Sequence, residues 1–127
     1  MAHPSKVKGN TYEREIVEKF KKENIECKRA WGSNGQALGM HEEVDCLANN
    51  ELRIQAKRRK KIAKWLKPSI FVDAVVVRED RGENYIILRL DDFLEDYKNL
   101  IELKKIAGND VVELLIKKSL KSNNKEG

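Results

Sequence analysis

Four polar side chains fall at spacings that permit phosphodiester chemistry. Asp45 opens one short apolar run, Gln55 and Lys57 alternate along the next, and Glu13 borders the apolar stripe of an early helix. Hydrolysis of a phosphodiester needs hard oxygen donors for a divalent ion and a cation beside the phosphate. An aspartate at one strand end and a Gln55-x-Lys57 pair on the neighbouring strand supply both. The spacing alone does not select that reaction. Asp45 and Lys57 equally make a solvated cross-strand pair, Gln55 is an ordinary exposed strand residue, and Glu13 can close a capping box with Asn10.

The elements that must hold these residues are legible from periodicity. Tyr12, Ile16, Val17 and Phe20 form an apolar stripe at helical spacing, which predicts a helix from about Thr11 to Glu23 with Asn10 as its cap. Ile25 to Trp31 reads as a short strand. A polar loop containing Gly32, Ser33, Asn34, Gly35 and Gly39 follows, to about Glu42. The runs from Val44 to Ala48 and from Leu52 to Lys57 form a hairpin around Asn49 and Asn50. Its register follows from face sorting. A two-residue loop would set Asp45 against Ile54, polar against apolar. A loop of Asn49, Asn50 and Glu51 pairs Val44 with Ala56, Cys46 with Ile54 and Ala48 with Leu52, leaving Asp45, Gln55 and Lys57 on the other face.

Beyond the hairpin, a short segment from Ile62 to Leu66 is closed by Pro68. Ile70 to Val77 is nearly continuous β-branched sequence, which predicts a strand covered on both faces. A turn at Gly82 leads to a strand from Tyr85 to Leu90. Asp91 or Asp92 caps a helix that Gly108 and Asn109 break, before a last amphipathic helix over Val111 to Leu120 and a polar tail from Ser122. The order is α-β-β-β-(short α)-β-β-α-α, an α/β domain with a mixed sheet. Residues 1–107 form the domain and 108–127 a C-terminal helix and tail.

The whole chain, 127 residues, is long enough for one domain. It carries 26 Lys and Arg against 21 Asp and Glu, a net charge of +5, which favours a polyanionic partner. The excess is concentrated. Between Leu52 and Lys67 stand Arg53, Lys57, Arg58, Arg59, Lys60, Lys61, Lys64 and Lys67, with no acid among them. A solvated face mixes signs, so this one-sided run reads as a phosphate-contacting surface. The two cysteines, Cys27 and Cys46, are too few for a disulfide scaffold or a four-ligand zinc site, and read as small core residues. His41 reads as an exposed loop residue and Trp31 as core, while Trp65 stays open between core and base stacking. No long apolar run and no secretory leader are visible, so the expectation is an intracellular, soluble protein that engages no membrane.

Taken in order, Lys8-Gly9, Tyr12-Glu13-Arg14-Glu15-Ile16-Val17, Arg29-x-x-Gly32-Ser33, Val44-Asp45 and Ile54-Gln55-Ala56-Lys57 resemble the archaeal-type Holliday junction resolvases, phage-borne relatives included, of the PD-(D/E)-X-K nuclease superfamily. The resemblance runs from about Lys6 to Ile106, and its most specific part is the helix start together with Arg29-x-x-Gly32-Ser33. It implies a restriction-endonuclease-like core, a central mixed β-sheet flanked by helices. It also implies a homodimer that nicks opposing strands of a four-way DNA junction with Mg²⁺, or Mn²⁺ in its place, and no small organic cofactor. Position by position, Glu13 matches the helix glutamate that assists the metal and Asp45 the metal-binding aspartate. Gln55 and the Ala56 carbonyl complete the metal set, and Lys57 matches the lysine that positions water or steadies the phosphate. Ser33 matches a loop serine tied to catalysis, while Arg14 and Arg29 match DNA-contacting basic residues. Lys8, Arg58, Arg59, Lys60 and Lys61 extend that DNA-binding set. One departure stands out: the family has glutamate at the position of Gln55. An amide oxygen can ligate Mg²⁺ but brings no charge. A general DNA endonuclease and a catalytically silent, structure-selective DNA-binding module are therefore the alternatives.

Overall fold

The computed structural model describes residues 4–30 and 35–125, with side chains described for 9–30, 36, 38–108 and 113–120. The chain is mixed α/β, and its elements follow the expected order. Helix α1 spans Pro4–Lys22, strand β1 Cys27–Arg29, and, after a 3-10 turn at Gly35–Leu38, strands β2 and β3 span Cys46–Ala48 and Leu52–Ile54. A second 3-10 turn at Lys64–Leu66 leads to β4 at Ala74–Val77 and β5 at Tyr85–Leu88, and the helical stretch α2 covers Leu90–Lys125.

α1 begins seven residues earlier than the stripe suggests. Pro4 occupies a helix start at no cost, because its missing N–H is one that a first turn cannot use. Asn10 therefore lies inside the helix, and the capping-box reading of Glu13 falls. The stripe itself is as expected: Ile16, Val17 and Phe20 are buried, and Tyr12 is half-buried. The C-terminus closes in a Schellman arrangement. The Ile25 N–H donates to the Phe20 carbonyl (3.0 Å) and the Asn24 N–H to the Lys21 carbonyl (2.9 Å). Asn24 takes the left-handed φ of 59° that this cap requires, and Ile25 and Phe20, both buried, sit at the cap's two hydrophobic positions.

β1, β2 and β3 form a three-stranded antiparallel sheet in chain order. The hairpin register is the expected one, Cys46 opposite Ile54 and Ala48 opposite Leu52. Asn49 and Asn50 turn the chain with φ of 51° and 55°, a region asparagine tolerates better than most side chains. The Glu51 N–H closes the turn on the Ala48 carbonyl at 3.0 Å. β1 joins the other edge of β2, Cys27 opposite Ala48 and Arg29 opposite Cys46. α1 packs on β1 and β2, so the core is one helix laid over three short strands.

β4 and β5 pair separately, antiparallel, with Ala74 opposite Leu88 and Val77 opposite Tyr85. All strand pairing among the described residues is antiparallel, in two sheets, where the sequence predicts a single mixed sheet. The strand is shorter than the apolar run, and the expected cover is incomplete: Ala74, Val75 and Val77 of β4 are half-buried, while Val76 and Ile86 are exposed and Ile70 and Phe71, before the strand, are each 88% exposed. A continuous apolar run reports strand propensity; burial needs a second layer, and within Met1–Leu90 the described residues give β4 a partner strand, β5. The bend before β4 is held by Arg89, whose guanidinium donates to the carbonyls of Ser69 (2.8 Å), Val72 (3.1 Å) and Pro68 (3.2 Å).

The chain divides into two compact units, Met1–Leu90 and Asp91–Gly127. In the second, Asp91 and Asp92 lie in the first helical turn, where the helix dipole favours acids. Gly108 interrupts the helix with φ 75° and ψ 159°, as the glycine predicts. Among the described residues no helix is long and apolar enough to cross a membrane.

Candidate functional site

Glu13 and Asp45 are the buried charged residues among those described, at 3% and 8% exposure. Each is buried for a structural reason. Glu13 lies three, four and seven positions before Ile16, Val17 and Phe20, on the face of α1 that meets the sheet. Asp45 immediately precedes β2, where the backbone ladder ends. Its N–H donates to the Ile54 carbonyl and its carbonyl accepts from the Ala30 N–H, both at 2.8 Å. Its carboxylate oxygen Oδ2 accepts the Ala56 N–H at 2.7 Å. The carboxylate thus continues the β2–β3 ladder past its last backbone pair, where the expected Val44–Ala56 pair would lie.

Arg29 and Cys46, opposite one another on β1 and β2, both approach Glu13. Arg29 Nε stands 3.4 Å from Glu13 Oε2, and Cys46 Sγ lies 4.0 Å from the Glu13 carbonyl. The Cys46 thiol is pushed above the ordinary range by its hydrogen bond with Cys27, by burial and by the negative charges of Cys27, Glu13 and Asp45. The Cys27 thiol is drawn down, first by the same hydrogen bond and then by Lys21, against the opposing effect of burial. Both thiols are free and buried, as expected.

The remaining predicted residues are distributed among three open clefts. Lys57, Arg58, Arg59, Lys60 and Lys61 line a cleft of about 500 Å³ against α1, completed by Thr11, Tyr12, Glu15, Ile62 and Lys67. Six cations face one acid there, a field suited to a polyanion. Gln55 is exposed and lines a different cleft, of about 420 Å³, with His41, Glu43, Val44, Arg53 and Ile54. Burial alternates on past Ile54, the end of β3, so Gln55 and Lys57 are both exposed while Ala56 is half-buried, yet the two line different clefts. Arg14 and Arg29 share a third cleft, of about 590 Å³, with Lys21, Lys28 and Cys27. Ser33 and the side chain of Lys8 lie outside the described residues.

One contact was not foreseen: Arg29 is engaged with Glu13, since its place opposite Cys46 follows only from pairing β1 with β2. His41 is an exposed loop residue, as expected, and accepts the Glu43 N–H on Nδ1 at 3.1 Å.

The donor set can be tested against Mg²⁺. That ion takes one or two carboxylates and keeps several waters, and Glu13 and Asp45 are donors of this class. Arg29 and the Ala56 N–H already engage one oxygen of each. Among the described residues, no group of three His, Cys, Asp or Glu side chains offers a fuller cage. The residues fit a sparse, water-rich site. No family model, curated protein or solved structure matches this chain.

Proposed function

We propose that this chain is a Mg²⁺-dependent, structure-selective DNA endonuclease with a restriction-endonuclease-like core, acting on four-way junctions as a homodimer. One observation carries the reading. The two acids that the sequence motif selects, Glu13 and Asp45, are the charged residues the fold buries among those described. Burying a carboxylate is costly unless its charge is used or compensated, and the cleft of six cations against α1 suits the phosphates such a site would act on.

In this reading Glu13 and Asp45 would hold the ion, which would supply Lewis-acid polarisation of the scissile phosphate. Arg29 orients Glu13 and offsets its charge. Lys57 holds the phosphate, orients the attacking water and stabilises the charge that develops on the phosphoryl oxygens. Arg58, Arg59, Lys60 and Lys61 bind flanking phosphates without reading sequence. Two opposed nicks require two sites, hence a second copy of the chain. The uncovered apolar side chains of β4 and β5 offer area for it.

A second reading, a silent structure-selective binder, draws support from Gln55, which is neutral and lines a cleft apart from Lys57, and from the Arg29 contact on Glu13. Incubation with a four-way junction and a linear duplex, each with and without Mg²⁺, separates the readings. Junction cleavage that requires Mg²⁺ supports the resolvase reading. Cleavage of both substrates supports a general endonuclease, and junction binding without cleavage supports the silent module.

A further inference from the structure

Trp65 is 65% exposed. It stands on the 3-10 turn Lys64–Leu66, between Ile62 and Lys67, both of which line the basic cleft against α1. Tryptophan is on average highly buried, because its indole is the largest apolar surface a side chain offers. Leaving it in water beside a run of lysines and arginines calls for a ligand with two properties. The ligand must be anionic, to match the cations, and must present flat aromatic faces, to match the indole.

Nucleic acid has both, but a base inside a duplex has its faces covered by its neighbours. An unstacked base has them free, and stacking on an aromatic side chain is the usual way single strands are held. An anionic bilayer would also satisfy a tryptophan and lysines. It is flat, however, whereas these cations line a concave cleft of about 500 Å³ walled by Thr11, Tyr12 and Glu15 of α1, a shape that admits a strand. That volume is in the range of small-ligand sites, about 300–1,000 Å³.

We infer that Trp65 is a stacking platform for an unpaired nucleobase, with the adjoining phosphates held by Lys57, Arg58, Arg59, Lys60, Lys61 and Lys67. The inference rests on the DNA-binding part of the reading above and adds a preference for DNA whose bases have left the stack, such as the open centre of a branch point.

The test measures binding of the full chain to a labelled oligothymidylate strand, to a duplex of equal length and to phosphatidylserine-containing vesicles. Wild type, W65A and W65F are compared across a salt series. W65A should lose about tenfold in affinity for the strand and less than twofold for the duplex. W65F should recover most of the loss. The salt dependence should be unchanged in both variants, since neither removes a cation from the phosphates. Equal loss on strand and duplex, or no loss on either, overturns the platform. So does vesicle binding that W65A abolishes while strand affinity holds. Junction cleavage with Mg²⁺ is scored alongside. A wild type that never cuts, with the W65A effect intact, removes the endonuclease reading alone. Unchanged strand affinity in W65A, with cleavage intact, removes the platform alone.

Discussion

Residues 13–48 and residues 57–89 solve the same problem differently. The first region contains every buried residue described except Leu94, and it does so with unremarkable apolar content. The second contains the most continuous apolar run of the chain, Ile70 to Val77, and buries none of it. What separates them is a layer. α1 covers β1 and β2, and all three residues of β2 leave water; within Met1–Leu90, β4 has a partner strand and, among the described residues, no helix of this kind, and a lone hairpin cannot shield a face. The charges are inverted too. The first region sequesters two carboxylates in its apolar interior, whereas the second exposes aromatic and aliphatic side chains next to a basic run.

The sharpest way to test this contrast is a pair of matched truncations. Phe20→Ala, at 1% exposure, should cost about 3–5 kcal/mol in urea unfolding, while Phe71→Ala should stay within about 0.5 kcal/mol. A Phe71 effect comparable to that of Phe20 would mean that the second region is covered in solution, and sedimentation would show whether by another copy. Next in size, Asp45→Asn should lower junction cleavage at least a hundredfold, roughly 2.7 kcal/mol, with junction affinity unchanged to within a few-fold. The asparagine retains an oxygen for the Ala56 N–H, so the strand end stays closed; cleavage at the wild-type rate would remove Asp45 from the site.

Charge reversal at Arg58 and Arg59 tests the open half. The slope of log affinity against log salt should flatten by about 0.9 for each phosphate that the protein no longer neutralises, uniformly across DNA sequences. An unchanged slope would turn this run away from DNA. Gln55→Glu should shift the Mg²⁺ requirement only modestly, a few-fold downward, if the exposed side chain swings to the acids on binding DNA. A Mg²⁺ titration that superimposes on wild type would keep Gln55 in its own cleft with His41 and Arg53.

The smallest effect belongs to the thiols. In the unfolded chain both cysteines ionise near pH 9, whereas the folded pair retains the Cys46 proton. The folded state then binds more protons, so stability falls as pH rises above about 9, by at most about 1.4 kcal/mol per pH unit. Chemical unfolding at pH 9 and pH 10.5 should show the decrease, because the lowered Cys27 thiol raises stability up to about pH 9, and Cys46→Ala should remove it.

How far the sequence could be read tracks how local the cause was. The hairpin register was legible because a one-residue slip would have exposed Cys46, Ile54 and Ala48 together, and two asparagines marked the turn. The Gly108 break was legible because few residues other than glycine take that backbone conformation. The start of α1 was not: Asn10 and Glu13 mimic a capping box, and nothing nearby in sequence says that Pro4 has already begun the helix. The same misreading hid the burial of Glu13, since a capping glutamate belongs at the surface. Asp45 was legible as a residue but not in its role as acceptor for Ala56, which depends on where the ladder stops. Period-2 logic extends a strand past the point where its hydrogen bonds end.

The Arg89 contact with Pro68, Ser69 and Val72 bears on how readily the basic segment can work. A chain of like charges, left tethered at one end, wanders, and any ligand must first gather it in at an entropic cost. Here β3 anchors one end, and a single guanidinium grips three carbonyls near the other. The stretch between them is a closed span, and the price of its ordering is met during folding. Arg89 bonds to the backbone beside that stretch and not to its cations, yet it limits how many shapes they sample before any ligand arrives.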